Sequence, residues 1–282
     1  LNIDGVTLAL SNGLDLSGDG VGGVGALTGT GTAAYTGGVT LVADSRVGAA
    51  TTSDQLTLSG VVSGATRSLE KTGAGKVTLA AANAYTGGTT IQQGTLSAKH
   101  AQALNQGKVT VADGATLNID GVSLSLTNGL DLSGTGASGA GALTGTGTAA
   151  YTGGVTLITD SRVGAATTSD QLTLSGIIAG ATRRLEKTGA GKVTLVSSNT
   201  YSGGTTILEG TLSAQHAQAL NQGKVTVANG ATLHIDGVTL ALANGLDLSG
   251  TGVGGAGALT GTGTAAYTGG VTLIADARVG TA

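Results

Sequence analysis

Three features of the amino-acid sequence predict an all-β chain wound as a parallel β-helix, a β-solenoid. A 116-residue unit recurs without insertion or deletion: LNIDGVTLALSNGLDLSG starts at Leu1, LNIDGVSLSLTNGLDLSG at Leu117 and LHIDGVTLALANGLDLSG at Leu233. Short runs within each unit alternate apolar with small polar residues, the period of a strand buried on one face. The 282 residues include 53 Gly and 46 Thr but no Pro. Gly permits the corners of a coil, and Pro would remove donors from interior ladders.

The repeat comes first, because a perfect register argues for one stacked array, not globular domains on linkers. Copies span 1–116, 117–232 and a partial 233–282 of a single continuous solenoid over 1–282. Tyr35, Tyr151 and Tyr267 keep the step, as do Tyr85 and Tyr201. Leu1 opens inside the pattern, so the chain is expected to be a segment of a longer one.

Strands come next. Val6–Leu10, Val39–Leu41, Leu56–Leu58, Val77–Leu79, Val109–Val111 and Ala115–Ile119 alternate in this way, with Gly, Asn and Asp between them. Val6, Leu8, Leu10, Leu14 and Leu16 are identical in all three copies, whereas Thr7, Ala9 and Ser11 vary. Identity on one face and change on the other predicts a hidden aliphatic stripe beneath a solvated one. An aspartate at Leu8 is then expected to cost far more stability than one at Thr7. Coils of roughly 20–25 residues give about five per copy and about twelve in all, a rod of about 58 Å at roughly 4.8 Å per coil. The stretch SAKHAQALNQG, from Ser97 to Gly107, offers a Ser N-cap, Ala-rich turns and a closing Gly. It predicts one small loop helix per copy.

Composition excludes several functions. The absence of Cys removes disulfides and thiolate chemistry. A net charge of −3, with 13 Lys and Arg scattered along the chain, lacks the footprint of a nucleic-acid binder. No apolar run approaches the roughly 20 residues of a membrane-spanning helix.

Candidate chemical motifs read as architecture. Gly18, Gly20 and Gly23 fit G-x-G-x-x-G, but no helical period follows to aim at a phosphate, so a solenoid corner is expected. Gly75-Lys76-Val77 lacks the remainder of a Walker loop. Asp15 and Asp19 faintly echo calcium coils, but Asp19 becomes Thr135 and Thr251, leaving too few carboxylates. His100 and His216 occupy the same loop of successive copies, and His234 replaces Asn2 and Asn118 at an outward strand position. None has a nucleophile beside it, so no catalytic, metal or cofactor residue is assigned. Asp4, Asp120 and Asp236, each before Gly, read as turn carboxylates. Thr28, Thr30 and Thr32 share a face, but once per copy, too sparse to order ice-like water. All five Tyr precede Thr-Gly-Gly or Ser-Gly-Gly. Each is expected at a corner, ring against the coil and hydroxyl in water, with a sugar-binding platform as the weaker alternative.

The stretch LEKTGAGKVTLAAANAYTGGTTIQQGTL, Leu69–Leu96, resembles the passenger-associated transport repeat of bacterial autotransporters. Leu69, Lys71, Gly73, Gly75, Asn83, Tyr85, Gly87, Gly88, Ile91 and Gly94 fall on its pattern, and Leu185–Leu212 repeats it with Asn199, Tyr201, Gly203 and Gly204. The resemblance implies a right-handed β-helical passenger, extracellular and tethered through an outer-membrane translocator outside this segment, with adhesion or autoaggregation as its activity. The expected partners are other solenoids, by self-association along or between them, or a host-cell or bacterial-surface receptor. No nucleic acid, membrane insertion or cofactor is expected. An extracellular solenoid filament is the alternative, and a polysaccharide-acting β-helix enzyme a weaker one.

Overall fold

A strand apolar on one face hides that face only if chain lies against it and beside it. A short Gly-rich repeat meets both needs by stacking turn upon turn. The structure, a computed structural model, describes residues 1–105, 107–221 and 223–281. Every strand pairing in it is parallel, and each joins one turn to the next, 19 to 27 residues along. The chain completes about thirteen turns, close to the expected twelve.

Each turn has three faces. Leu56–Val77–Leu96–Leu117 is one column of inward residues, paired strand to strand. Val47–Lys71–Ile91–Val111 is another. All of these are buried. The third face opens with Leu14–Val39–Val62, and the ladder thins once within each copy, to the two-residue strands Val62–Ser63 and Ile178–Ala179. The core is therefore a narrow stack of Leu, Val, Ile and Ala, which is how a chain without Phe or Trp fills it.

The aliphatic stripe holds where turns lie on both sides. Leu124, Leu126, Leu130 and Leu132 are buried, as are Leu240, Leu242, Leu246 and Leu248. Of their copy-one equivalents Leu16 is buried, but Leu8 and Leu14 are only half-buried and Leu10 is 40% exposed. The strand at Thr7–Leu8 pairs on one side only, so the buried face is incomplete there.

The expected helix from Ser97 to Gly107 does not form. Ser97 lies in the strand Gly94–Ala98, fully buried, and 101–105 are turns. Gln106 lies outside the described residues. The ladder competes with the local helix signal and wins, because Leu96 and Ala98 pair with Leu117 and Ile119 in the next turn. The G-x-G-x-x-G stretch forms a short 3-10 turn, Val21–Gly23. A Cβ at Gly20, whose φ is +72°, would run into the carbonyl of Gly25, so the loop closes only with Gly there.

The facing assignment is testable at the buried copy. Leu124→Asp should lower the unfolding free energy by about 3–5 kcal/mol through an unpaired buried carboxylate. Ser123→Asp, next along the strand and exposed, should change it by no more than about 0.5 kcal/mol. Equal losses in denaturant melts would reject the assignment.

Candidate functional site

A set of buried polar side chains recurs in the block from Leu69 to Asn105 and again from Leu185 to Asn221. Its strands run inward-outward in the usual way, and polar residues occupy inward places. Lys71 stands in the core between Val47 and Ile91, fully buried. Its Nζ donates to the carbonyls of Gly75 at 2.6 Å and Gln93 at 2.8 Å, and also to Gly73. Three donors meet three carbonyls, so no N–H of the buried ammonium lacks an acceptor. Lys187 repeats it on Gly189, Gly191 and Glu209.

Asn83 bridges three turns. Its Oδ1 accepts from the Val62 amide of the previous turn at 2.8 Å, and its Nδ2 donates to the Ala103 carbonyl of the next at 2.6 Å. Asn199 does the same between Ile178 and Ala219. The side-chain amide thus replaces a ladder at the point in each copy where no continuous strand runs. Asn105, held at φ +47°, adds a bond from Nδ2 to the Tyr85 carbonyl at 3.0 Å.

The tyrosines correct an expectation. Tyr35, Tyr85, Tyr151 and Tyr201 are fully buried, hydroxyls included, and do not reach water. Tyr85 and Tyr201 bond to Thr89 and Thr205, each at 2.7 Å. In the other class Val replaces that Thr, and the hydroxyl turns to a backbone carbonyl: Tyr151 to Gly154 at 3.2 Å, Tyr35 to Gly38 at 3.5 Å, Tyr267 to Gly270 at 3.0 Å. Tyr267 alone is partly exposed, in the last turn. Burial raises the hydroxyl pKa of all five. Rings sealed in this way offer no platform to a sugar.

The paired glycines explain the close stacking of these corners. A Cβ at Gly87 would stand 2.5 Å from the Arg67 carbonyl carbon, and one at Gly88, φ +97°, would stand 2.7 Å from the Lys108 carbonyl oxygen. Gly203 and Gly204 are caught likewise against Arg183 and Lys224.

The remaining candidates lie apart. His100 and His216 accept a bond at Nδ1 from Gln102 and Gln218, two residues on, at exposed turns. His234 points outward, as expected, but is nearly covered, with Nδ1 2.9 Å from Thr260 and Nε2 3.2 Å from Thr262. Asp19 pairs with Arg46 at 3.4 Å; Asp131 and Asp247, the equivalents of Asp15, pair with Lys108 and Lys224 at 2.7 Å. Asp236 accepts from Thr262 and Gln215. Thr28 and Thr30 donate to Asn2. Among the described residues no group of three or more His, Asp or Glu is placed to hold a metal ion. No described helix is long and apolar enough to cross a membrane.

The buried lysines were missed as a site, although both fall on the motif. The available signal was a Lys in the inward phase of a strand, Leu-Glu-Lys-Thr, whose neighbours Leu69 and Lys71 share a face.

Residues 69–98 and 185–214 match the family model of the passenger-associated-transport-repeat. The chain is also similar to the adhesin BmaC autotransporter of Brucella suis biovar 1 (strain 1330). The two are 37% identical over 169 residues, 55% of this chain and 4% of that protein. The chain thus spans a small fraction of that relative's length. No solved structure matches it.

Two measurements test this geometry. Asn83→Ala should cost about 2–4 kcal/mol, because the Val62 amide and the Ala103 carbonyl both lose their partner inside the core. Asn83→Asp should be best tolerated in acid, where a protonated carboxyl can still donate to Ala103, and should weaken as pH rises and the charge faces that carbonyl. A loss independent of pH would contradict the bridge.

Burial pushes the Lys71 ammonium down to about 7, and Lys187 to about 8, where Glu209 in place of Gln93 pulls it back up. The unfolded lysines, with pKa about 10.4, hold protons that the folded ones have lost. Unfolding free energy should therefore rise with pH from about 7 to about 10, by up to about 1.4 kcal/mol per unit per lysine. Lys71→Met should be less stable and show a flatter slope in denaturant melts across that range. An unchanged slope would contradict the burial.

Proposed function

We propose that this chain is a section of the passenger of a bacterial autotransporter adhesin. It works as a repetitive stalk that lies outside the cell and is tethered through an outer-membrane translocator beyond the segment. The observation that carries this reading is the unbroken parallel ladder, with a passenger-associated transport repeat inside each complete copy. The likeness to a curated adhesin autotransporter supports it. The copies 1–116, 117–232 and 233–282 form one continuous solenoid in this reading. The task is mechanical: each turn is fixed by its neighbours, so length is added copy by copy with stability growing nearly in proportion.

The motif residues are clamps in this account. Asn83, Tyr85, Gly87 and Gly88, with Asn199, Tyr201, Gly203 and Gly204, lock three successive turns where the ladder of each copy thins. Tyr35, Tyr151 and Tyr267 fill the corresponding corner elsewhere. None is a catalytic or ligand-binding group, and the stalk is not an enzyme. Adhesion proceeds through a host-cell or bacterial-surface receptor or through self-association of solenoids. A secreted filament is the second reading. It is favoured by the same copy-on-copy stacking and would dispense with the translocator.

Beads coated with the purified chain test the reading. Capture of host or bacterial cells, or clumping of the beads alone, is the expected result, the first indicating a receptor and the second self-association. Beads that do neither, while the chain releases reducing ends from a polysaccharide, would overturn it in favour of an enzyme.

A further inference from the structure

The repeat does not complete a whole number of turns. Ala33, Leu56, Val77, Leu96, Leu117 and Leu143 stand in one column. Leu27, Val47, Lys71, Ile91 and Val111 stand on the face that precedes it along the chain. Leu143 is the copy-two equivalent of Leu27, yet it has joined the column of Ala33. Ala149, the equivalent of Ala33, has moved on in the same sense to the third face, with Leu172, Val193, Leu212, Leu233 and Leu259. One copy therefore occupies five turns and one face more. Identical sequences look out in different directions, and three copies, about sixteen turns or roughly 77 Å, bring a feature back to its starting side.

We infer that the solenoid presents each repeat's outward side chains on three sides in rotation, so that separate globular partners, one per copy, can be bound at once. Outward Thr40, Thr156 and Thr272 mark the three directions. Thr40 pairs with Asp15 and Ser63, Thr156 with Asp131 on the face of Leu132, and Thr272 with Asp247 on the face of Leu248. The ion pairs Lys108–Asp131 and Lys224–Asp247 turn with them. Equivalent patches are only about 26 Å apart along the axis, from roughly 4.8 Å per turn. A partner domain of about 100 residues is more than about 30 Å across. On a single side such partners would collide; a face apart, they clear one another. The same rotation denies a flat surface, or a second rod lying alongside in register, more than every third copy. The inference takes its purpose from the stalk reading, but its geometry does not depend on it.

The native chain has no Cys, so paired cysteines label uniquely. With nitroxides at Thr40→Cys and Thr156→Cys, pulsed dipolar spectroscopy should give a distance of about 33 Å. That combines about 26 Å along the axis with roughly 20 Å between outward positions on neighbouring faces. The pair Thr156→Cys and Thr272→Cys should give the same value. Biotin on all three cysteines should bind three copies of a monovalent biotin-binding domain. A distance near 26 Å, or saturation at two, would overturn the inference. Neither readout involves a receptor, so a failed adhesin reading and a failed rotation are told apart.

Discussion

Everything in this molecule depends on the hydrogen-bond ladder that runs from each turn to the next. A parallel strand satisfies its donors and acceptors only through chains on both sides, so no turn is stable alone. A turn with neighbours hides its inward residues, whereas Leu10 and Val6, in a turn with one neighbour, stay in part outside. The same dependence explains why the copies keep one length. A one-residue slip would turn every inward Leu and Val outward along the remainder of that strand.

The ladder is thin at one stretch of each copy, where the strands shorten to two residues or vanish. There the side chains take over. Asn83 and Asn199 reach up and down one turn each, and the backbones of Gly88 and Gly107 approach so closely that only glycine fits. Lys71 and Lys187 serve the adjoining corner, gathering three carbonyls each from two successive turns. A buried ammonium is a costly way to do this. It supplies three donors from one point, which no apolar residue can.

Much of this was legible in the sequence because repetition exposes it. The 116-residue step and the invariant Leu8, Leu14 and Leu16 set beside variable Thr7 give the solenoid and its facing without coordinates. The tyrosines show the limit. Their position before Gly-Gly marks a corner, but whether Tyr85 turns its hydroxyl to water or to Thr89 depends on the turn above, about twenty residues away. The stretch from Ser97 to Asn105 fails as a helix for a related reason: its local propensity is real, and the ladder to Leu117 and Ile119 outweighs it. The buried role of Lys71 was open to inference from strand phase, but a charged residue in that phase is usually found at a surface.

The side-chain clamp is tested most directly by amide hydrogen exchange at Val62 and Ile178. Their amides are bonded to the side chains of Asn83 and Asn199 rather than to a strand. If side-chain amides hold the turns together there, both should exchange as slowly as the ladder amides of Leu56 and Leu172. Exchange at the rate of an open loop would contradict the account.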